Sequence, residues 1–525
     1  MSLPTNKNNS IRKNGLGSRQ INNSVNPITI RTIGMSPVPY AIIGILLAVS
    51  AAIAVNYTSS LPPLLIIGGG MAIFLVIAIF QKPELGGYIL IFSVFTNLSD
   101  LFTEKGLPSI NKPLVAIVVL SIFANYILNT GKIKSIPKFT RIELVLGVYL
   151  LSVLASSFVA VNQSKAFDSL IDLVKDVAVG YCIYITLDTK EKVKTGLYVL
   201  LTAVTFVSFL GVIRTFTGTS NDFWGFAQLS AFGQVSDTDG QLRYGGAIGE
   251  SNIWGQVLVS TTPVILYLIA KSYGLKEKIL PAISGIFVIL ALLFTESRGA
   301  FIALVFVLVL IAIDLKIKST TFIVLVSVFL LTLFVLPAKY SERIKSLDIF
   351  FQNKEYGLTQ DESISGRQAK MLTGLAMFSK NPFLGVGFAN YTENYWLYAG
   401  GLGLDTAAVN VGTSSDYENQ QPHSLYVEIA AETGILGLSS FLGFLGLIFL
   451  GLNKSRRKIK IAKKVLDRDW LMLTSAIMMS ILTFLVAGFF LHGIGFRFIW
   501  VLLGLSLAFI NIGQNPLNSS SPKSY

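Results

Sequence analysis

The feature that most constrains this chain is its series of apolar blocks, each roughly twenty residues long. At 1.5 Å per residue, such a block crosses a hydrocarbon core of ~30 Å as a helix. Only helices and closed barrels satisfy every backbone N–H and C=O inside lipid, and unbroken apolar blocks of this length read as helices. Fourteen blocks read as spans, at about 38–55, 61–81, 86–99, 113–129, 141–159, 168–187, 195–214, 251–271, 279–296, 299–315, 319–337, 434–452, 470–490 and 495–512. The third is short, and the sixth carries Asp168, Asp172, Lys175 and Asp176, so these two fit the pattern least well. Composition agrees. Only 14% of the 525 residues are charged, against about 25% for a soluble chain, too few to cover a water-facing surface. The expected fold class is all-α, a polytopic membrane helical bundle of about 12–14 transmembrane helices.

The formal net charge is +13, which on a soluble protein would point to nucleic acid. Here Lys and Arg sit mainly in short connections between apolar blocks, so they read as topology, and no nucleic-acid partner is expected. Alternate connections read QKPE, TGKIKSIPKFTR, DTKEKVK, KSYGLKEK, DLKIK and NKSRRKIKIAKKVLDR. The other set, which includes NYTSS, AVNQSKAF and LHGIG, is not dominated by basic residues. The positive-inside rule then puts the first set, and both termini, in the cytoplasm, with an even number of spans. The first 36 residues are polar, basic and rich in Asn and Ser. They lack the apolar core of a cleavable leader and read as a disordered tail. Cys182 is the lone cysteine, so no disulfide forms within the chain. With two histidines, His423 and His492, a multi-histidine metal centre is not expected, and neither metal nor cofactor enters the reading.

The expected layout is a basic cytoplasmic tail over 1–36 and eleven spans over 37–337. A large extracytoplasmic loop follows over 338–422. A returning helix with the last three spans occupies 423–515, and a cytoplasmic tail 516–525. Two of the outer stretches are long. Residues 215–250 are acidic around one base, Arg243. Residues 338–422 hold Tyr391, Tyr395, Trp396 and Tyr398 with a helical segment, and connections this long are functional or disordered. No long internal repeat is evident, which argues against an inverted-repeat transporter.

Four outer features carry chemistry. Ser365-Gly366-Arg367-Gln368 reads as a capping box opening a helix that Pro382 ends, with Arg367 in the first turn. A cation at the positive end of a helix dipole calls for a nearby anion, such as phosphate; a solvated surface arginine is the plainer alternative. Glu296-Ser297-Arg298-Gly299 is a tight turn that should join two spans as an antiparallel hairpin. Arg298 there faces a polar cavity, pairs with Glu296 or anchors the span. His423 precedes LYVEIAAETG. It should open a short interfacial helix over 423–433 that bends at Thr433-Gly434 before the span. A helix N-terminus keeps an imidazole neutral and able to accept a proton, or uses it simply as a cap. Last, Arg243-Tyr244-Gly245-Gly246 leads to Glu250-Ser251-Asn252. The glycines permit close backbone approach, and Ser251 or Asn252 could cap the next helix. Three of the four features supply arginine, which grips phosphate oxygens bidentately. Together they suggest a phosphate-bearing substrate.

The segments TESRGAFIALV, SGRQAKMLTGLAMFSKNPFLGVGFANY and PHSLYVEIAAETGILGLSSFLGFLG are similar to the O-antigen ligase and polymerase superfamily. There an S-R-G/A turn precedes a span. An outer loop then begins R-x(n)-P-x-x-G-x-G and ends H-x(n)-E-x-G-hydrophobic-G. The order and spacing agree over about 295–450, and RYGGAIGESN matches the family's R-x-x-G-(x)-N segment more loosely. The resemblance implies a GT-C-like bundle acting as a metal-independent, inverting glycosyltransferase in the bacterial inner (plasma) membrane. Its donor would be a glycan on undecaprenyl diphosphate at the outer leaflet. Its acceptor would be lipid A core for a ligase, or a second lipid-linked glycan for a polymerase, with membrane lipids around it. Carried over by position, Arg298 and Arg367 would bind diphosphate and His423 would activate the acceptor hydroxyl or orient the donor. Arg243, Asn252, Glu296 and Gln368 are further candidates for substrate contact. The family usually has about twelve spans, fewer than the fourteen counted. Two other functions stay open. One is a transporter of a small anion such as bicarbonate, which would place its charges at broken helices near the bilayer midplane. The other is a non-catalytic assembly component whose loop binds glycan or a partner.

Overall fold

The apolar blocks end where local chemistry stops them. Thr140 accepts a hydrogen bond from the Ile142 N–H at 3.1 Å, and Glu143 accepts one from the Thr140 N–H at 2.8 Å. This capping box opens a helix over Arg141–Val159, the bounds of the fifth predicted span. The computed structural model describes residues 72–128, 139–230, 243–270, 274–317, 362–404, 420–462, 465–491, 493 and 497–514. The expectations for both tails, the first and eleventh spans, residues 338–361 and 405–419 of the large loop, and His492 fall outside the described residues.

Fifteen helices and one two-stranded ribbon are described. The first seven helices are α1 (Ala72–Gln81), α2 (Pro83–Phe95), α3 (Leu98–Glu104), α4 (Asn111–Ile127), α5 (Arg141–Val159), α6 (Gln163–Thr186) and α7 (Lys190–Thr217). An antiparallel ribbon follows, β1 (Gln228–Ser230) with β2 (Arg243–Gly246). Then come α8 (Ser251–Ala270), α9 (Leu275–Thr295), α10 (Arg298–Asp314), α11 (Glu362–Lys380), α12 (Tyr391–Gly401), α13 (Leu425–Ala462), α14 (Val465–Ala487) and α15 (Arg497–Gln514).

Seven of these, α5, α7, α8, α9, α13, α14 and α15, are long and apolar enough to cross a membrane. The count is eight if α2 and α3, bent by 60° at Thr96-Asn97, form one broken span. The protein is a polytopic, all-α membrane bundle. The described residues account for fewer spans than the fourteen blocks suggested. The third block is the bent pair, the fourth gives the shorter α4, and the sixth, α6, holds too many charges to qualify. α8 and α15 sit deepest. α14 packs against both and against α10 and α13, while α6 lies along α15. The outer faces are apolar: Leu144, Val148 and Leu151 on α5 and Ile279, Ile283 and Ile286 on α9 are exposed, as lipid-facing side chains should be.

Two clusters of charge inside the bundle are paired. Arg497 Nη1 lies 2.7 Å from Asp100 and its Nε 3.3 Å from Asp176, which is 2% exposed. At the other end of the bundle, Asp314 accepts from Arg456 and from the Tyr267 hydroxyl, each at 2.5 Å.

α13 is two helical arms. Gly434 interrupts it with φ 64° and ψ −163°, at the bend expected from its length. A Cβ at this position would lie 2.3 Å from the Phe383 carbonyl carbon. Gly434→Ala is expected to cost about 2–4 kcal/mol, through the left-handed backbone and the overlap together. The check is a lowered thermal midpoint in detergent.

Candidate active site

The Glu296–Gly299 turn is built by two residues between helices. Glu296 ends α9 in a left-handed conformation (φ 52°). Ser297 then caps α10 by accepting from the Ala300 N–H at 3.4 Å, which makes Arg298 the first helical residue. The expected hairpin is not a packed one. α9 and α10 each pack on α8, because Gly255 brings α8 directly under the turn: a Cβ there would lie 3.0 Å from both Ser297 and Ala300.

The ribbon delivers Arg243 to this turn. Its Nε lies 3.8 Å from Glu296 Oε2, so these two candidates are brought together. Tyr244, next along β2, is buried and donates to the Val207 carbonyl at 2.8 Å, which fixes the strand on α7. Gly246 (φ 64°) lets the backbone lie on the Trp254 ring, where a Cβ would fall 2.2 Å from it. The cap of α8 is Glu250 rather than Ser251 or Asn252. Its Oε2 accepts from the Ile253 N–H at 2.6 Å, and its Oε1 accepts from the Asn252 amide at 3.0 Å. A carboxylate suits the positive helix end better than either neutral side chain.

His423 lies two residues before α13 and also has a left-handed backbone, φ 49°. Non-glycine residues hold such conformations only where their surroundings impose them, and they cluster at functional sites. Here the surroundings are the end of α14. The Leu425 N–H donates to the Gly488 carbonyl at 2.8 Å, and the Tyr426 hydroxyl donates to the Leu485 carbonyl at 2.8 Å. The same turn touches the arginine turn, since a Cβ on Gly299 would lie 2.8 Å from Phe490 Cβ. Residues 488–490 thus link the start of α10, with Arg298, to the start of α13, with His423.

Arg367 belongs to α11, which begins at Glu362. Ser365 is therefore inside the helix, not at its cap, and Arg367 lies past the first turn, where the dipole argument no longer applies. Glu362, Ser363 and Ile364 extend the helix upstream of the Ser-Gly pair. Its other end is as expected, with Lys380 the last helical residue, followed by Asn381 and Pro382. Arg367 is half-buried and Gln368 is exposed.

Two carboxylates that had been given no role hold this region together. Glu432, 4% exposed, accepts from the Ala389 N–H at 3.0 Å and from the Tyr391 N–H at 3.1 Å. Glu428 accepts from the Gly493 N–H at 2.8 Å. Glu432 stands in the E-x-G motif quoted above, so its signal was visible. Its partners, 43 and 41 residues away in sequence, were not. Lys165 to Glu393 at 2.8 Å and paired Asn162–Asn390 hydrogen bonds at 2.7 and 3.1 Å join the loop segment to the α5–α6 turn.

Residues 283–442 match the model of the O-antigen ligase family. The matched segment is similar to that family over less than a third of the chain. It contains Glu296, Arg298, Arg367, Gln368 and His423, and it leaves Arg243 and Asn252 outside its bounds. Comparison with curated proteins finds no match. The matched segment thus takes in the splayed α9–α10 turn, the loop helices α11 and α12, and the bent start of α13.

Proposed function

We propose that the protein is a membrane glycosyltransferase. It moves a glycan from undecaprenyl diphosphate to an acceptor, lipid A core or another lipid-linked glycan, at the outer leaflet of a bacterial inner membrane. The observation that carries this reading is the convergence of the Arg298 turn and the His423 segment, both within the stretch that matches the O-antigen ligase family, on residues 488–490. In the proposed step the acceptor hydroxyl oxygen attacks the anomeric carbon. The bond from that carbon to the diphosphate oxygen breaks, undecaprenyl diphosphate leaves with the electron pair, and the anomeric configuration inverts. His423 takes the hydroxyl proton. Arg298 and Arg367 neutralise the charge that grows on the leaving diphosphate, the role that fixed donors fill best in a water-poor site, without need of a metal. Arg243 orients the turn through Glu296. Both termini lie in the cytoplasm, and the loop helices face away from it.

Arg298→Ala and Arg367→Ala are each expected to lower turnover by about 10²–10³-fold, measured in proteoliposomes with lipid-linked glycan. Full activity in both variants would sink the mechanism.

One observation favours the anion-transport reading. The broken pair α2–α3 lies beside the Arg497–Asp100–Asp176 cluster, the kind of arrangement that binds ions in transporters. Bicarbonate uptake by proteoliposomes that hold no lipid-linked sugar would establish that reading instead.

A further inference from the structure

The long arm of α13 is longer than a membrane is thick. From Ile435 to Ala462 it runs roughly 42 Å at 1.5 Å per residue, against a hydrocarbon core of ~30 Å. Ile435 and Leu436 are exposed, as lipid-facing side chains should be. An upright arm that enters lipid there leaves it after about twenty residues, close to Lys454. The exposed face changes character at that depth. Leu450 is apolar and exposed, and Lys454, Arg457 and Lys458, also exposed, continue the same stripe at helical spacing. The opposite face is docked. Leu452 and Ser455 are buried, and the Ser455 hydroxyl donates to the Ile510 carbonyl of α15 at 3.4 Å. Gly513 lets the two helices meet, since a Cβ there would lie 2.7 Å from Ser455 Cβ. Arg456 turns onto Asp314 at the end of α10. Lys454 and Arg457 have no hydrogen bond or ion pair among the described residues, and Lys458 donates only to the Gln514 carbonyl, at 3.3 Å. The sequence over 453–468 holds eight basic residues and one acid, Asp467, so the segment cannot balance its own charge.

We propose that this stripe binds the anionic headgroups of phospholipids, in the leaflet at the far end of the long arm from His423. The ligand chemistry is phosphate, and the positive-inside reading makes the leaflet cytoplasmic. Arg457 offers a bidentate fork, and Lys454 and Lys458, one turn apart, add point charges around it. An acidic protein would meet the same charges. The stripe, however, continues a lipid-facing row at the depth where headgroups begin, and that position favours lipid. Orientation alone would be served by basic residues anywhere in the cytoplasmic connections. A bound headgroup needs them on one fixed face, and the docking of Ser455 and Arg456 fixes that face. The binding surface does not depend on the reaction at the other end of the helix.

The test measures, by native mass spectrometry, phosphatidylglycerol retained by the full chain in a nonionic detergent, with phosphatidylcholine as the neutral probe. Each cation near an anionic surface strengthens association about fivefold. The wild type is therefore expected to hold phosphatidylglycerol about tenfold or more tighter than phosphatidylcholine. K454Q/R457Q/K458Q should remove most of that preference, and the charge-preserving K454R/R457K/K458R should keep it. K276Q/K278Q/K316Q takes as much charge from other basic connections and should keep it too. Without added lipid, all four proteins should share one thermal midpoint, since none of the substituted side chains is buried. Raising the salt should weaken the wild-type preference. Equal retention of the two lipids by the wild type overturns the proposal and leaves the stripe to an acidic protein surface. A K454Q/R457Q/K458Q protein that keeps the preference overturns it as well. So does an equal loss in K276Q/K278Q/K316Q, which would show attraction to the whole basic face and not to this stripe.

Discussion

Replacing His423 with alanine is expected to lower the turnover of the proposed glycan transfer by about 10²–10⁴-fold, the usual worth of a positioned proton acceptor, and to leave the protein folded. The second half of that expectation follows from where the backbone is held. The anchors of this segment are the Leu425 N–H on the Gly488 carbonyl and the Tyr426 hydroxyl on the Leu485 carbonyl, and neither involves the imidazole. The left-handed conformation at His423 costs about 1–2 kcal/mol in any non-glycine residue, so alanine inherits it unchanged. Glycine would relieve it, and His423→Gly should therefore be more stable than His423→Ala and equally inactive. Turnover in proteoliposomes and thermal midpoints in detergent together check this. A histidine that only capped the helix would show the opposite pattern, with stability lost and turnover largely kept.

The second large effect is expected at Glu432. Glu432→Ala leaves the buried Tyr391 N–H and the half-buried Ala389 N–H without their acceptor, at about 1–3 kcal/mol for the buried group and less for the other. Both bonds tie α12 and the segment before it to α13. The variant should lose activity through displacement of the loop helices, although Glu432 is given no part in the chemistry. Limited proteolysis of the purified protein should cut within 381–404 in Glu432→Ala and not in the wild type. Glu432→Gln keeps one acceptor oxygen and should fall between them. An alanine variant as resistant as the wild type would show that other contacts suffice.

Elements set by local rules were legible in the sequence. The apolar block over 141–159 coincides with α5, and the length of chain after His423 required the bend that Gly434 supplies. The arginine turn was placed correctly as a turn, but its hairpin packing was not, because the wedge that parts α9 from α10 is Gly255 of a different helix. The start of α11 was misjudged since Ser365 and Gln368 have the spacing of a capping box while the helix extends upstream over Glu362. Asn252 was weighed as a cap, and Glu250, two residues earlier, takes that place. The motifs pointed to the family whose model matches residues 283–442 because they record short-range backbone requirements, and these survive in a single sequence.

The contact of Ile435 with Pro382 and the grip of Glu432 on residues 389 and 391 have a mechanical consequence. Arg367 and His423 ride on a single jaw, made of α11, α12 and the short arm of α13. Arg243, Glu296 and Arg298 ride on the opposing jaw, formed by the ribbon and the splayed ends of α9 and α10. The two touch through residues 488–490 at the end of α14. Residues that carry none of the chemistry therefore bridge the two jaws, Gly488 through its carbonyl and Phe490 through its side chain.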